Sequence, residues 1–248
     1  ADSVEIALEV DWQERHRLLR MYVPLDVHAD RSTAEIQFGH LARPTHINTS
    51  WDAARFEIVA RRWIHVGEPG YGVAVSNDST YGHSVQRDTR ADGGTTTTVG
   101  LSVLRAPTFP DPDADRGRHA MRFTVRPGAS LQDAAEEGHR LDRAARVVRG
   151  GRMVAPLVRC SDPGVRIETV KLAEDGSDDL IVRIYEATGG RRALSLGVDV
   201  SATEVVEVDL LEREIEGGRR FPDAARIPLT LRAFEILTLR CLRGAAGR

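Results

Sequence analysis

The sequence predicts an all-β protein: a large antiparallel β-sandwich, supersandwich-like, carrying one short helix and followed by a smaller C-terminal β-sandwich. Three observations lead there. Apolar residues recur at every second position in about a dozen short segments, the period of a strand with one buried face. Gly, Pro, Asn or Asp bounds each segment, as tight turns require. Helical spacing takes over in a single stretch near 130–148, and no strand–helix–strand alternation occurs, which excludes Rossmann and TIM-barrel architectures.

The elements follow in order. SVEIALEV (3–10) sets Val4, Ile6, Leu8 and Val10 on one face. RLLRMYVPLDV (17–27) is apolar almost throughout, as a strand buried on both faces would be. TAEIQF (33–38) and RFEIVARRW (55–63) alternate, GYGVAVSN (70–77) is a short apolar strand with glycines, TTTTVGLSVLRA (95–106) runs from β-branched to apolar, and HAMRFTVRP (119–127) alternates again. SLQDAAEEGHRLDRAARVV (130–148) fits a helix. Ser130 can cap it with Asp133 three residues on, as in a capping box. Leu131, Ala134, Ala135, Leu141, Ala145 and Val148 repeat at helical spacing, and Gly138 weakens the middle. RGGRMVAP (149–156) reads as a linker. Strands resume at 166–173, 179–187, 192–200, 204–211, 225–232 and 234–242.

These segments predict a division near residue 150: a central β-sandwich domain over 1–150, truncated at its N-terminus and including the helix, then a C-terminal β-sandwich over 151–248. The chain opens inside an alternating strand, so the expectation is a piece of a longer protein.

The totals narrow the function. A net charge of −3 leaves no basic surplus to neutralise phosphates, which argues against nucleic acid. No apolar run reaches the ~18 residues of a membrane span. Thirty-three of the 34 basic residues are arginine, Lys171 being the one lysine, and they are spread evenly. Cys160 and Cys241 stand apart, without C-x-x-C; both are expected reduced and buried, which suits a cytoplasmic location.

Three segments are dense in functional side chains. RPTHINTSWD (43–52) places His46 and Trp51 in what should be a turn. SNDSTYGHSV (76–85) gathers Asn77, Asp78, Tyr81 and His83 at a strand end. RAPTFPDPDADRGRH (105–119) brings Arg105, Asp115, Arg116 and His119 together. Its alternating aspartates do not make an EF-hand, because Arg116 follows the third acid where Gly belongs. Carboxylate acceptors beside planar guanidinium donors suit a polyhydroxylated ligand; turn-building hydrogen bonds are the competing use. His40 and His46 are the nearest histidine pair in one loop, with no carboxylate before Asp52, a weak metal motif. Glu35, Glu57, Asp78 and Asp115 could each serve glycoside hydrolysis, and no pair stands out.

Taken together, EVDWQERHRLLRMYVPLDVHADRSTAEIQFGHLARPTHINTSWDAARFEIVARRW, GYGVAVSNDSTYGHSV and LSVLRAPTFPDPDADRGRH resemble the C-terminal β-region of family 38 glycoside hydrolases, in particular the cytosolic and vacuolar type α-mannosidases. ETVKLAEDGSDDLIVRIYEATGG and LRAFEILTLR resemble that family's final sandwich, so the likeness covers residues 4–242. The resemblance implies a retaining α-mannosidase. In that family an aspartate nucleophile and a zinc held by two His and two Asp lie in an N-terminal α/β-barrel and the segment beside it. No residue of this chain matches either, so no catalytic residue and no metal ligand is assigned here, and zinc is expected only in the full-length parent. The implied partners are the missing N-terminal catalytic domain of the same polypeptide and, in the parent, an α-mannoside. His46, Trp51, Asn77, Asp78, Tyr81, Arg105, Asp115, Arg116 and His119 become substrate-binding or cleft-facing candidates. An apolar face without its partner also predicts self-association. The alternative readings are a free-standing carbohydrate-binding or assembly module, disfavoured by an aromatic content of 5%, and a complete hydrolase using its own carboxylates.

Overall fold

A computed structural model describes residues 2–143, 145, 147–151 and 154–243. It contains two compact units, residues 1–147 and 148–248. Nearly everything regular in them is antiparallel strand, the all-β architecture expected.

The first unit pairs two sheets. The larger is built from β1 (Val4–Trp12), β3 (Arg31–Ile36), β4 (Gly39–Pro44), β6 (Trp63–Glu68), β7 (Tyr71–Asn77) and β10 (Gly117–Pro127), ordered β1-β10-β7-β6-β3-β4. The smaller comprises β2 (Leu18–Leu25), β5 (Ile58–Val59), β8 (Gly82–Thr89) and β9 (Thr95–Arg105), ordered β2-β9-β8-β5. Alternate residues of both sheets meet between them: Ile64, Val66, Val73, Val75 and Phe123 from one, Val99, Leu101 and Val103 from the other, all buried. β2 is an edge strand with one open face, so Leu18 and Tyr22 are exposed. Its apolar run therefore does not mean burial on both faces, and the expectation from 17–27 is corrected.

The segment 55–63 does not form one strand. Ile58 and Val59 pair with β8 in the small sheet, and Trp63 already belongs to the large one. Between them the Ala60 and Arg61 amides donate to the Tyr81 and Glu35 carbonyls, and the Arg62 carbonyl accepts from the Asn77 amide. The chain thus switches sheets across Ala60–Arg62, and the alternation there is shared between two partners.

A helix, α2 (Leu131–Asp142), covers the outer face of the large sheet. The Ser130 hydroxyl accepts from the Asp133 amide and the Asp133 carboxylate closes the capping box. Ala134 and Ala135 pack on Trp63 and Ala74. A Cβ on Gly138 would lie 2.9 Å from Trp63 Cδ1 and 3.0 Å from Arg62 Cβ, so the glycine is there for close approach. The helix ends at Asp142, short of the expected 148: Ala145 is outside it, and Ala145, Val147 and Val148 are exposed, while 144 and 146 lie outside the described residues. A second helix, α1 (Ser50–Ala54), was not expected. The linker reading of 149–156 includes 152 and 153, which also lie outside the described residues.

The second unit stacks a three-stranded sheet, β11 (Val158–Cys160), β14 (Arg192–Val198) and β17 (Ile227–Leu231), on a five-stranded one, β12 (Val165–Leu172), β13 (Leu180–Glu186), β15 (Glu204–Val208), β16 (Arg220–Phe221) and β18 (Ile236–Leu242). Val182, Ile184, Leu196, Ile227, Leu231, Leu237 and Leu239 fill the space between. Both cysteines are free thiols; Cys241 is buried, and burial pushes its pKa up to about 11, while Cys160 is only half-buried.

Candidate functional site

The first dense segment is a crossover. After β4 the chain leaves the edge of the large sheet, runs over the side of the sandwich and re-enters at β5, the edge of the small sheet. Its rigidity comes from a carboxylate. Asp52 Oδ2 accepts from the Asn48 amide at 3.2 Å and the Thr49 amide at 3.1 Å, and Oδ1 takes the Arg55 guanidinium at 2.5 Å. The Thr49 hydroxyl, then the two amide donors, holds the Asp52 carboxyl below the usual carboxylate range, against the opposing effect of burial. His46 Nδ1 stands 3.6 Å from the same carboxylate. Trp51, on the one-turn helix this builds, is 81% exposed. Ile47 and Phe56 are exposed beside it in the chain. A capped turn thus holds large apolar side chains out in solvent.

The second segment is the β7–β8 turn, and its polar side chains are engaged internally. Asn77 is buried; its Oδ1 accepts from the Ser79 and Thr80 amides at 3.0 and 2.7 Å, and its Nδ2 donates to the Arg61 carbonyl at 3.3 Å. This Asx arrangement leaves Asn77 facing the interior. Asp78 is clamped by Arg122, accepting from its amide at 3.0 Å and its Nε at 3.1 Å. His83 is buried against the Tyr81 carbonyl, and desolvation lowers its pKa. Tyr81 itself points outward and is exposed.

The third segment joins β9 to β10. Asp115, at φ +60°, accepts from the Arg105 amide at 2.7 Å, and its carbonyl meets His119 Nε2 at 2.8 Å. Arg116 donates to Asp113 at 2.8 Å and to Gln13 at 3.3 Å. Arg105 is exposed at the end of β9, and Phe109, which precedes Pro110, is 87% exposed.

The topology brings two of these three segments together. β7 leaves and β8 enters at the end of the sandwich where β9 leaves and β10 enters, as the registers Phe123↔Asn77 and His83↔Leu101 require. Asp78, Tyr81, Arg105, Asp115, Arg116 and His119 therefore share one end. His46 and Trp51 sit apart, on the lateral crossover. His40 and His46 lie at opposite ends of β4, and His40 faces the Trp63 ring at 6.0 Å. Of the carboxylates weighed for hydrolysis, Glu35 is buried against Arg62, Glu57 accepts from the Ser102 hydroxyl, and Asp78 and Asp115 are bound as above. Among the described residues no group of three or more His, Cys, Asp or Glu could hold a metal ion. Arg43, Arg122, Phe56 and Phe109 were missed as candidates. The sequence signal for the two phenylalanines was an aromatic in a polar or Pro-rich loop; for the arginines there was none.

Comparison with known proteins places these features. The C-terminal domain of glycosyl hydrolases family 38 matches residues 1–113, and that family's C-terminal β-sandwich domain matches residues 164–239. Human alpha-mannosidase 2C1 is 37% identical over 95% of this chain, which corresponds to 23% of that protein. Alpha-mannosidase G of Dictyostelium discoideum is 33% identical over 96% of this chain and 22% of its own length. The crystal structure of an alpha-mannosidase from Enterococcus faecalis V583 superimposes with a TM-score of 0.73 at 18% identity, covering 97% of this chain and 27% of that one, a likeness of fold. The chain thus spans under a quarter of the length of these two curated relatives.

Proposed function

This chain belongs to glycosyl hydrolases family 38, whose two C-terminal domains it carries, and we propose that it is the non-catalytic C-terminal β-region of a zinc-dependent, retaining α-mannosidase of the cytosolic or vacuolar type. One observation carries the reading: a relative named alpha-mannosidase matches this chain over 95% of its length yet is itself covered over only 23%. Hydrolysis of terminal α-mannosides, and the zinc, then belong to a catalytic domain elsewhere in the same polypeptide. That assignment is supported by carboxylates already engaged within this chain and by the lack of a metal-holding cluster among the described residues.

What this chain contributes is surface. Trp51 and Phe56 on the crossover, and Tyr81 and Phe109 at the loop end, are large apolar side chains held out by hydrogen-bonded turns. Covering them against a second domain gains about 25 cal/mol per Å² of apolar area without ordering a flexible loop. Arg105, Asp115, Arg116 and His119 at the same end as Tyr81 would form the polar wall of the cleft. Two free thiols suit a reducing compartment, and a cytoplasmic location belongs to the same proposal. Among the described residues no helix is long and apolar enough to cross a membrane. Left without its partner, the same surface would drive self-association.

Exposed Trp51 also favours a second reading, a free-standing carbohydrate-binding or assembly module. One set of assays separates the two. The purified chain is given a chromogenic α-mannoside with Zn²⁺, its metal content is measured, and mannose is titrated against its tryptophan fluorescence. No turnover, no stoichiometric metal and no fluorescence change are expected. Turnover with bound metal would overturn the proposal, and saturable quenching by mannose would favour the module. In the full-length parent, Trp51→Ala with Phe56→Ala should loosen the contact between the domains while leaving the sandwich intact.

A further inference from the structure

The crossover roofs a cavity of about 70 Å³. One water needs roughly 10–15 Å³, so there is room for a small polyatomic ion and too little for a sugar ring. Arg43 of β4, Ser32 of β3, and Ser84 and Gln86 of β8 line it, with Asp52 and Arg55 from the crossover.

The charges around this cavity do not cancel. Asp52 is matched by Arg55 at 2.5 Å and by its own loop amides. Among the described residues no carboxylate pairs with Arg43: its Nη1 is buried without a hydrogen-bond partner, and desolvation lowers its pKa. A buried donor left without an acceptor is costly, and a guanidinium fork matches the oxygens of a tetrahedral anion. On β8, Ser84 Oγ accepts from Arg20 at 2.7 Å, which leaves its hydroxyl proton to donate.

We propose that this cavity binds a small inorganic oxyanion, phosphate or sulfate, with Arg43 as its principal ligand and Ser84 and Gln86 as further donors. The site does not rest on the α-mannosidase reading, since it uses residues of this chain alone; it lies on the side of the sandwich, beneath the crossover whose Trp51 and Phe56 are assigned to the domain contact.

Calorimetric titration of the 248-residue chain with sodium sulfate and with sodium phosphate, at ionic strength matched with sodium chloride, tests it. Saturable binding is expected, weakened at least about ten-fold by Arg43→Gln, the order of losing one charge-assisted donor. Arg118→Gln, whose side chain is 91% exposed, should leave it unchanged. No saturable binding of either anion, or equal binding by the Arg43→Gln protein, would overturn the proposal. Should Arg43→Gln fail to fold, crystals of the unaltered chain soaked in selenate give the answer: an anomalous peak beside Arg43 is expected, and its absence there refutes the site.

Discussion

Glu35→Gln should be the most damaging single-atom exchange in the first unit. The Glu35 and Arg62 side chains are 4% and 5% exposed, and their closest atoms are 2.5 Å apart. Glu35 also accepts from the Arg62 amide at 2.9 Å and from Arg62 Nε at 3.0 Å. Glutamine keeps one acceptor, for the Arg62 amide, but loses the charge and sets an NH2 donor where Oε1 accepted from the guanidinium, so the substitution removes the ion pair together with its hydrogen bonds. Breaking one side of a buried pair costs about 3–5 kcal/mol, because a desolvated charge is left behind. Asp142, 3.5 Å from Arg62 and more exposed, compensates in part, which favours the lower end. The assay is urea unfolding followed by tryptophan fluorescence. Trp12, Trp51 and Trp63 all fall in residues 1–147, so the signal reports the first unit even if the second unfolds separately. With m near 1–3 kcal/mol/M, the midpoint should drop by at least about 1 M. A loss below about 1 kcal/mol would show that water reaches the pair and that the burial argument is wrong.

Gly138→Ala tests sign rather than size. Helix propensity alone predicts a gain of about 1 kcal/mol, whereas contact with the Trp63 ring predicts an overpacking cost of about 1–3 kcal/mol; the same fluorescence assay should show no gain, and a stabilised protein would contradict the packing. In the second unit, burial by itself would raise the Glu186 pKa, but bonds from the Thr188 hydroxyl and the Phe234, Thr188 and Gly189 amides outweigh it and hold the carboxyl below its ordinary range. A depressed folded pKa means the contribution is present above the unfolded value of about 4.3 and is lost as pH falls through the folded one. Hydrogen exchange of residues 165–242 should therefore accelerate below about pH 4, and Glu186→Gln should weaken protection at neutral pH and flatten the acid response. An unchanged acid response in that variant would refute the assignment.

Much of the fold was legible in order along the chain. Period-2 alternation marks β1, β3 and β10, and the pleat imposes that period locally; 70–77 and 95–106 read instead as apolar and β-branched runs, and β7 is buried on both faces, with α2 over one of them. The Ser130–Asp133 box is equally local, and the helix starts where it says. Where two partners compete for one segment, local pattern failed: 55–63 reads as one strand but serves two sheets, and the apolar run of β2 does not reveal that the strand is an edge.

The candidate residues divide in the same way. Sequence by itself determined the residue types, the three dense segments and the resemblance that names the family, since these are properties of order along the chain. Only the tertiary structure decided what each side chain does. Asn77 turns inward to bind its own loop, Asp78 is taken by Arg122 from 44 positions away, and Trp51 is left in solvent by a turn that Asp52 locks. The physical reason is that a polar side chain's role depends on which donors and acceptors reach it in space. Arg43, half-buried, becomes distinctive only because folding buries its Nη1 and, among the described residues, brings no carboxylate to meet it.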